Sequence, residues 1–222
     1  MECKDQEERT KKYKGQLARN FLQIFRRKAR KEGVPESEAV QVGLTYIKMV
    51  LPVENITPEF ENSIKEKISH SILKAKIREA TENDLETIKN IHNRAWMTGE
   101  TPYTPITLEG IKDVFKIPTV KIFVAKVYGE DSGFIITDLV GEDKQCGEIV
   151  GLGILPRFQR RYLGTMLGLH SWEYFKNKNV KKLICEVYIE NHASYKLIKG
   201  LGFEEVARKT YGIEEFESND KS

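Results

Sequence analysis

The sequence predicts an α/β (α+β) domain with a mixed central sheet flanked by helices, preceded by an all-helical N-terminal extension. From Leu73 onward, strand-like runs alternate with helix-like runs, which is typical of a sheet covered by helices. Before Leu73, apolar residues recur at helical spacing instead. A chain of 222 residues is also longer than most single domains need. We therefore assign residues 1–72 to the extension and residues 73–222 to the sheet domain.

The composition of the chain excludes several classes of protein. The chain is 40% hydrophobic and 31% charged, which is typical of soluble globular proteins. No stretch approaches the roughly 18 apolar residues of a membrane span, and the N-terminus lacks the apolar segment of a signal peptide. The three cysteines are widely spaced, and the four histidines show no metal-ligand spacing. We therefore expect no disulfide framework and no metal site, and a cytoplasmic location.

Three helices are predicted in the extension, at residues 10–31, at Val40–Leu51 and from Pro58 to Ile72. Ten basic residues and no acidic ones lie between Arg9 and Lys31. Since the sheet domain is neutral, the net charge of +3 comes entirely from residues 1–72. This basic segment predicts an anionic partner, such as a nucleic acid or an acidic membrane surface. A helix packed on its neighbours with a solvated basic face is the alternative.

The remaining sequence predicts the order β-α-α-β-β-β-α-β-α-β. Strands are expected at residues 75–80, 120–127, 134–139, 148–155, 183–189 and 205–211, and helices at residues 85–95, 108–115, 163–175 and 191–201. Turn residues, chiefly glycine, separate the central strands as in hairpins. The order predicts a mixed sheet covered by helices.

A basic turn carries the strongest functional signal. A buried strand ends at Pro156, and a turn containing Arg160 and Arg161 leads into an amphipathic helix from Leu163. Such a turn directs free backbone N–H groups and the positive end of the helix dipole toward one point, which suits a phosphate or pyrophosphate. The arginines can add charge-assisted hydrogen bonds. Neither GxxxxGK[ST] nor GxGxxG occurs, so the turn is not a nucleotide-binding loop of those types.

The turn resembles the cofactor-binding motif of the GNAT (Gcn5-related N-acetyltransferase) superfamily, in which a strand ending near proline is followed by Q/R-x-x-G-x-G/A. Gln159 and Gly164 match the first and last positions, and Tyr162 replaces the middle glycine. Ile77–Leu85 resembles the opening strand and helix of that family. Asn191–Phe203 resembles its late motif, N-x-x-A/S followed by a terminal G-F. The three motifs occur in the family's order.

The resemblance covers about residues 73–215 and implies an N-acetyltransferase with acetyl-CoA as co-substrate. The acetyl group would move directly to an amine of a protein, a peptide or a small molecule. Main-chain amides of the turn would bind the pyrophosphate, and a backbone N–H near Gly153 or Ile154 would polarise the thioester carbonyl. The implied cofactor-binding residues are Gly153, Ile154, Leu155, Gln159, Arg160, Arg161, Tyr162, Leu163, Gly164, Thr165 and Asn191. Asn191 is also a good helix N-cap.

Glu148 and Tyr195 are the candidate catalytic residues. Glu148 lies eleven residues before Gln159, the spacing of the general-base glutamate in the histone-acetyltransferase branch of the family. A carboxylate there can take the proton of the amine, directly or through water; a solvent-facing glutamate is the alternative. Many members place a general-acid tyrosine seven residues after the motif asparagine, where this chain has Ile198. Tyr195, one turn earlier, is the nearest substitute, with a packing role as its alternative.

Two other functions fit the sequence. The missing tyrosine and the missing glycine also suit a CoA-binding regulatory module with little activity. The basic residues 9–31 also suit a nucleic-acid-associated or ribosome-associated protein. The sequence does not identify the acceptor amine, and it leaves the oligomeric state open, a dimer included.

Overall fold

Seven strands form one mixed sheet with α-helices packed around it. The structure is a computed structural model that describes residues 44–97, 105–141 and 144–211. The strands are β1 (Leu44–Pro52), β2 (Ala75–Glu79), β3 (Val120–Val127), β4 (Glu130–Val140), β5 (Cys146–Ile154), β6 (Lys182–Tyr188) and β7 (Glu204–Tyr211). The helices in these ranges are α1 (Pro58–Ser69), α2 (Leu85–Met97), α3 (Leu108–Phe115), α4 (Leu163–Lys176) and α5 (His192–Gly200). This architecture confirms the predicted fold class.

The order of the strands in the sheet is β2, β3, β4, β5, β6, β1, β7. All neighbours are antiparallel except β5 and β6, which are parallel. The parallel pairing covers only Cys146–Ile149 of β5 against Lys182–Cys185 of β6. Beyond these residues neither strand pairs with the other. A gap therefore opens between the second halves of β5 and β6.

The predicted helix over Val40–Leu51 is wrong, because its described part forms the strand β1. This strand pairs with β6 along one edge and with β7 along the other. Ile47, Met49 and Leu51 alternate along it and are 0–4% exposed. The same apolar residues also fit helical spacing, and a short apolar run does not distinguish the two conformations. The sheet is thus not complete from Leu73 onward, and the extension is not all helical.

Of the other two helices predicted in the extension, the structure describes only one. The helix expected at residues 10–31 lies outside the described residues. The third is confirmed as α1, which begins at Pro58 after the N-cap residue Thr57, whose Oγ1 accepts a hydrogen bond from the Phe60 N–H at 3.2 Å. Ile64 of this helix is 1% exposed.

Helices α2 and α4 lie on opposite faces of the sheet. The Phe134 ring of β4 lies 6.2 Å from the His92 ring of α2, so Phe134 points toward α2. A Cβ atom on Gly147 of β5 would lie 2.5 Å from Cδ1 of Phe175 in α4, so Gly147 faces α4. Phe175 and Trp172 of α4 are almost fully buried. Ile88 of α2 is also fully buried, so the core extends over both faces of the sheet.

No helix in the described part of the chain is long and apolar enough to cross a membrane.

Candidate active site

The pairing register determines which backbone groups of β5 face the gap. The Leu155 N–H donates to the Ser132 carbonyl oxygen directly opposite, at 2.9 Å. Hydrogen-bonded and non-hydrogen-bonded pairs alternate along antiparallel strands, so Gly153 bonds to β4. Leu152 and Ile154 then direct their N–H and C=O groups toward β6. Two main-chain amides therefore line the gap.

This register refines the predicted cofactor-binding positions on β5. The main chain of Ile154 faces the gap, whereas those of Gly153 and Leu155 bond to β4. Gly153 has a packing role, because a Cβ atom there would lie 2.4 Å from Cε1 of Phe134. The sequence analysis missed Leu152, since the edge that an amide faces depends on strand pairing and leaves no signal in the sequence.

A β-bulge at Val150 separates the two halves of β5. Ile149 pairs with Thr137 of β4 and Gly151 pairs with the preceding residue, Ile136, so Val150 has no partner in β4. An extra residue reverses the alternation of side chains after it. The bulge therefore puts residues 148, 151 and 153 on the same face of the sheet.

Glu148 lies at the closed end of the gap and is buried. It pairs with Asp138 of β4 and with Ile184 of β6. Asp138 alternates with Phe134 on the α2 face of β4, and cross-strand partners share a face. Glu148 and Asp138 are 6% and 2% exposed. The alternative of a solvent-facing Glu148 is therefore wrong.

Cys185 marks the same end of the gap from β6. It pairs with Ile149 and is 3% exposed. Burial raises the pKa of its thiol strongly, and the negative charges of Glu148 and Glu186 raise it further. A thiol with a raised pKa stays protonated and is a poor nucleophile. Cys185 is therefore a core residue and not a nucleophile.

The basic turn follows β5 at the open end of the gap. Gln159 Nε2 donates to the Ile154 carbonyl oxygen at 3.0 Å, which ties the turn to the end of the strand. Ser71 Oγ donates to the Arg161 carbonyl oxygen at 3.0 Å. The side chains of Arg160 and Arg161 are exposed. The turn is thus held through its main chain while its cationic groups remain accessible.

Tyr162 adopts the left-handed conformation that glycine adopts readily, with φ +65° and ψ 4°. Arg160 also has a positive φ, of 58°. For residues other than glycine this conformation costs roughly 1–2 kcal/mol each. The Tyr162 side chain is 47% exposed. Replacement of the motif glycine therefore retains a tight turn, at a conformational cost.

The first turn of α4 directs its N–H groups at the same place. Tyr162 is the N-cap residue and makes no side-chain capping hydrogen bond, and the first N–H groups of a helix have no intrahelical partner. These groups belong to Leu163, Gly164 and Thr165. A Cβ atom on Gly164 would lie 2.9 Å from Cδ2 of Leu197 in α5. Gly164 therefore allows α4 and α5 to pack closely.

The late motif has a structural role in α5. Asn191 is the N-cap residue, and its Oδ1 accepts a hydrogen bond from the Ser194 N–H at 3.0 Å, which confirms the capping role. Tyr195 packs against the hydrophobic core, near the Glu205 carboxylate of β7. Two strands separate β7 from β5, so these contacts favour the packing role for Tyr195. Ile198 is 6% exposed in the core.

Across residues 44–97, 105–141 and 144–211, no group of three or more His, Cys, Asp or Glu side chains could hold a metal ion.

The chain matches a family of known proteins. The model of the acetyltransferase (GNAT) family matches residues 85–203. The aminoglycoside N-acetyltransferase AAC(6')-Iy in complex with CoA is 20% identical, with a TM-score of 0.52 over 63% of this chain and 93% of that chain. The ribosomal-protein-S18-alanine N-acetyltransferase from Escherichia coli is 24% identical, with a TM-score of 0.52 over 60% and 80%. The GNAT domain of S. lividans PAT is 14% identical, with a TM-score of 0.53 over 63% and 94%.

The search of curated proteins found no match. The solved structures share the fold of this chain, and the family model covers more than half of its residues. The chain therefore belongs to the acetyltransferase (GNAT) family.

Proposed function

We propose that this protein transfers the acetyl group of acetyl-CoA directly to an amine. One arrangement carries the proposal: the gap beside β5 has the basic turn Gln159–Thr165 at its open end and the buried carboxylate of Glu148 at its closed end. A cofactor with a phosphate at one end and a reactive acyl group at the other fits this order of groups.

The pyrophosphate of acetyl-CoA is assigned to the turn and the first N–H groups of α4. These N–H groups carry the positive end of the helix dipole, which stabilises an anion there. Arg160 and Arg161 have accessible guanidinium groups that can form charge-assisted hydrogen bonds with phosphate oxygens. Asn191 at the start of α5 remains the proposed contact for the pantetheine arm.

The pantetheine arm would enter the gap and take the place of the missing β6 partner. From the turn inward, it first meets the main chain of Ile154 and then that of Leu152, which both face the gap. The thioester at the end of the arm lies farthest from the turn. We therefore assign the Leu152 N–H to the thioester carbonyl, whose oxygen gains negative charge during the reaction.

Glu148 is the proposed general base. An amine must lose a proton to become nucleophilic, and its free pKa is about 10.4 for a lysine side chain and about 8 for an α-amine. The amine nitrogen bonds to the carbonyl carbon, and the Glu148 carboxylate takes the proton, directly or through water. The nearby carboxylate of Asp138 adds negative potential that attracts an ammonium group to this end of the gap.

The tetrahedral intermediate then collapses as its carbon–sulfur bond breaks. Ile198 provides no acid at the position of the family's tyrosine, and Tyr195 packs against the core near Glu205 instead. A thiol with a free pKa near 8.5 leaves readily as the thiolate, and it takes its proton from the solvent or from protonated Glu148. The thiolate can therefore leave without a tyrosine acid, although this step is slower than it would be with one.

An acceptor screen tests the proposal. Acetyl-CoA is incubated with the full chain and a panel of amines: a peptide with N-terminal alanine, a lysine peptide, an aminoglycoside and simple alkylamines. The alanine peptide and the aminoglycoside are included because the names of two solved relatives give these substrates. Mass spectrometry and thiol release should show acetylation of at least one. Thermal stabilisation by acetyl-CoA without thiol release would support the regulatory alternative instead.

The basic residues 9–31 are outside the described residues, and their anionic partner remains a prediction. Binding of the full chain to RNA should weaken steeply with added salt if these residues neutralise phosphates. Absent or salt-insensitive binding would contradict it.

A further inference from the structure

One face of β6 and β1 borders the gap beside Glu148. Ile184 of β6 pairs with Glu148, and Glu186 and Tyr188 follow it on the same face. On β1, Lys48 lies opposite Glu186 and Tyr46 lies opposite Tyr188. We call these residues of β6 and β1 the acceptor face. Except for Lys48, which is exposed, they are partly buried.

An amine can reach the thioester only from this side of the sheet. The other face of β6 carries Leu183, Cys185 and Val187, which are 0–5% exposed in the core. The pantetheine arm occupies the gap itself, and Glu148 points to the α2 side. The acceptor must therefore pass over the acceptor face to place its amine beside Glu148.

The acceptor face combines aromatic rings with a carboxylate. The rings of Tyr46 and Tyr188 lie 5.8 Å apart at an angle of 60°. Burial, together with the negative charge of Glu186 and the neighbouring Tyr188, raises the pKa of Tyr46 to about 12, so its ring is neutral at physiological pH. Tyrosine rings and carboxylates both attract cations. Two positive charges oppose them on this face, Lys48 of β1 and Lys209 of β7, the cross-strand partner of Tyr46, against the carboxylates of Glu186, Glu148 and Asp138.

On the basis of the proposed function, we infer that the acceptor carries a second positive charge besides the reacting amine, held by Glu186, Tyr46 and Tyr188. The spacing supports this, because Glu186 is two residues along β6 from the partner of Glu148, which is roughly 7 Å. The reacting nitrogen would lie at Glu148 and the second cation at Glu186. Tyr46 belongs to β1, outside the region that the family model matches, so the N-terminal strand contributes to substrate choice.

A matched pair of amines tests the inference. The probes are an unbranched five-carbon diamine and the monoamine of the same length, assayed with the full chain and acetyl-CoA. The wild type should favour the diamine in kcat/KM by about tenfold or more, the effect of one hydrogen bond to a charged group. Glu186→Gln should remove most of this preference, mainly through KM for the diamine. Tyr46→Leu should reduce it, since the ring is lost and the apolar volume is kept.

Two further variants test whether the charge of the acceptor face determines the preference for the diamine. Lys48→Gln removes one opposing positive charge, so the preference for the diamine should increase. Glu66→Gln removes a carboxylate from the exposed surface of α1 and should keep the wild-type preference. The diamine should also raise the melting temperature of the CoA complex more for the wild type than for Glu186→Gln.

The outcomes separate this inference from the proposed function. If both amines are acetylated with equal kcat/KM, or if only peptides with neutral side chains are acetylated, the inference fails and the proposed function stands. A decrease in preference with Lys48→Gln also overturns the inference. If thiol release stays at background with every amine, the proposed function fails and the inference fails with it.

Discussion

Replacing Met49 with alanine tests whether β1 is part of the folded acetyltransferase domain. Met49 is 0% exposed and lies in the middle of β1, paired with Cys185 on one side and Glu205 on the other. Truncation of a buried methionine to alanine costs about 2–5 kcal/mol, because apolar contacts are lost and a cavity remains. Domains have a free energy of unfolding of about 5–15 kcal/mol. The loss should therefore be a large fraction of the total.

Urea unfolding followed by tryptophan fluorescence measures this loss, since Trp172 is buried in the same core. For a domain of this size, each kcal/mol corresponds to about 2–4 °C, so the melting temperature should fall by about 4–20 °C. Lys48→Ala, an exposed neighbour in the same strand, should change the free energy by less than about 0.5 kcal/mol. If Met49→Ala matched this control, β1 would not belong to the core, and the strand order derived above would be wrong.

Four further variants test the turn and the helix cap. Replacing Arg160 and Arg161 together with alanine should weaken acetyl-CoA binding at least about tenfold in calorimetry; normal binding would contradict the phosphate assignment. Tyr162→Gly should keep acetyl-CoA binding, whereas the β-branched variant Tyr162→Val should weaken it, because valine strongly disfavours a positive φ; equal affinities would contradict the conformational argument. Hydrogen bonds from Arg78 hold the pKa of Asp84 well below its usual value, so this stabilisation is present above the unfolded pKa of about 3.9 and lost as pH falls through the lower folded pKa. Asp84→Asn should therefore cost about 1–2 kcal/mol at neutral pH, a difference that shrinks in acid in urea unfolding; a pH-independent difference would contradict it.

Elements with local signals could be predicted from the sequence. The bounds of α3 agree with the prediction, since its N-cap Thr107 and its apolar spacing are both local. Helix α2 follows a capping box, another local signal, in which the Asp84 carboxylate accepts hydrogen bonds from the N–H and the hydroxyl of Thr81. The strand β1 could not be predicted, because its conformation depends on pairing with β6 and β7, which are distant in sequence. Local periodicity alone left it ambiguous.

The candidate site, too, could be predicted from the sequence only in part. The position of Glu148 and the basic turn follow from motif spacing in the sequence. The burial of Glu148, however, depends on its pairing with Asp138, and the orientation of Leu152 depends on the register with β4. The packing of Tyr195 near Glu205 could not be predicted either, because it depends on the position of β7 next to β1 in the sheet. Long-range pairing therefore determines the parts of the site that the sequence left open.

The pH dependence of Glu148→Gln, with an amine that the wild type acetylates, tests the central claim most directly. General bases contribute about 10²–10⁴-fold, so the variant should lose about that much turnover near neutral pH, where the amine is protonated. The loss should shrink as the pH approaches the pKa of the amine, about 10.4 for a lysine side chain, because the amine then deprotonates unaided. Thermal stabilisation by acetyl-CoA should match the wild type. Wild-type turnover at every pH, or an equal loss at every pH, would contradict the role of Glu148 as the general base.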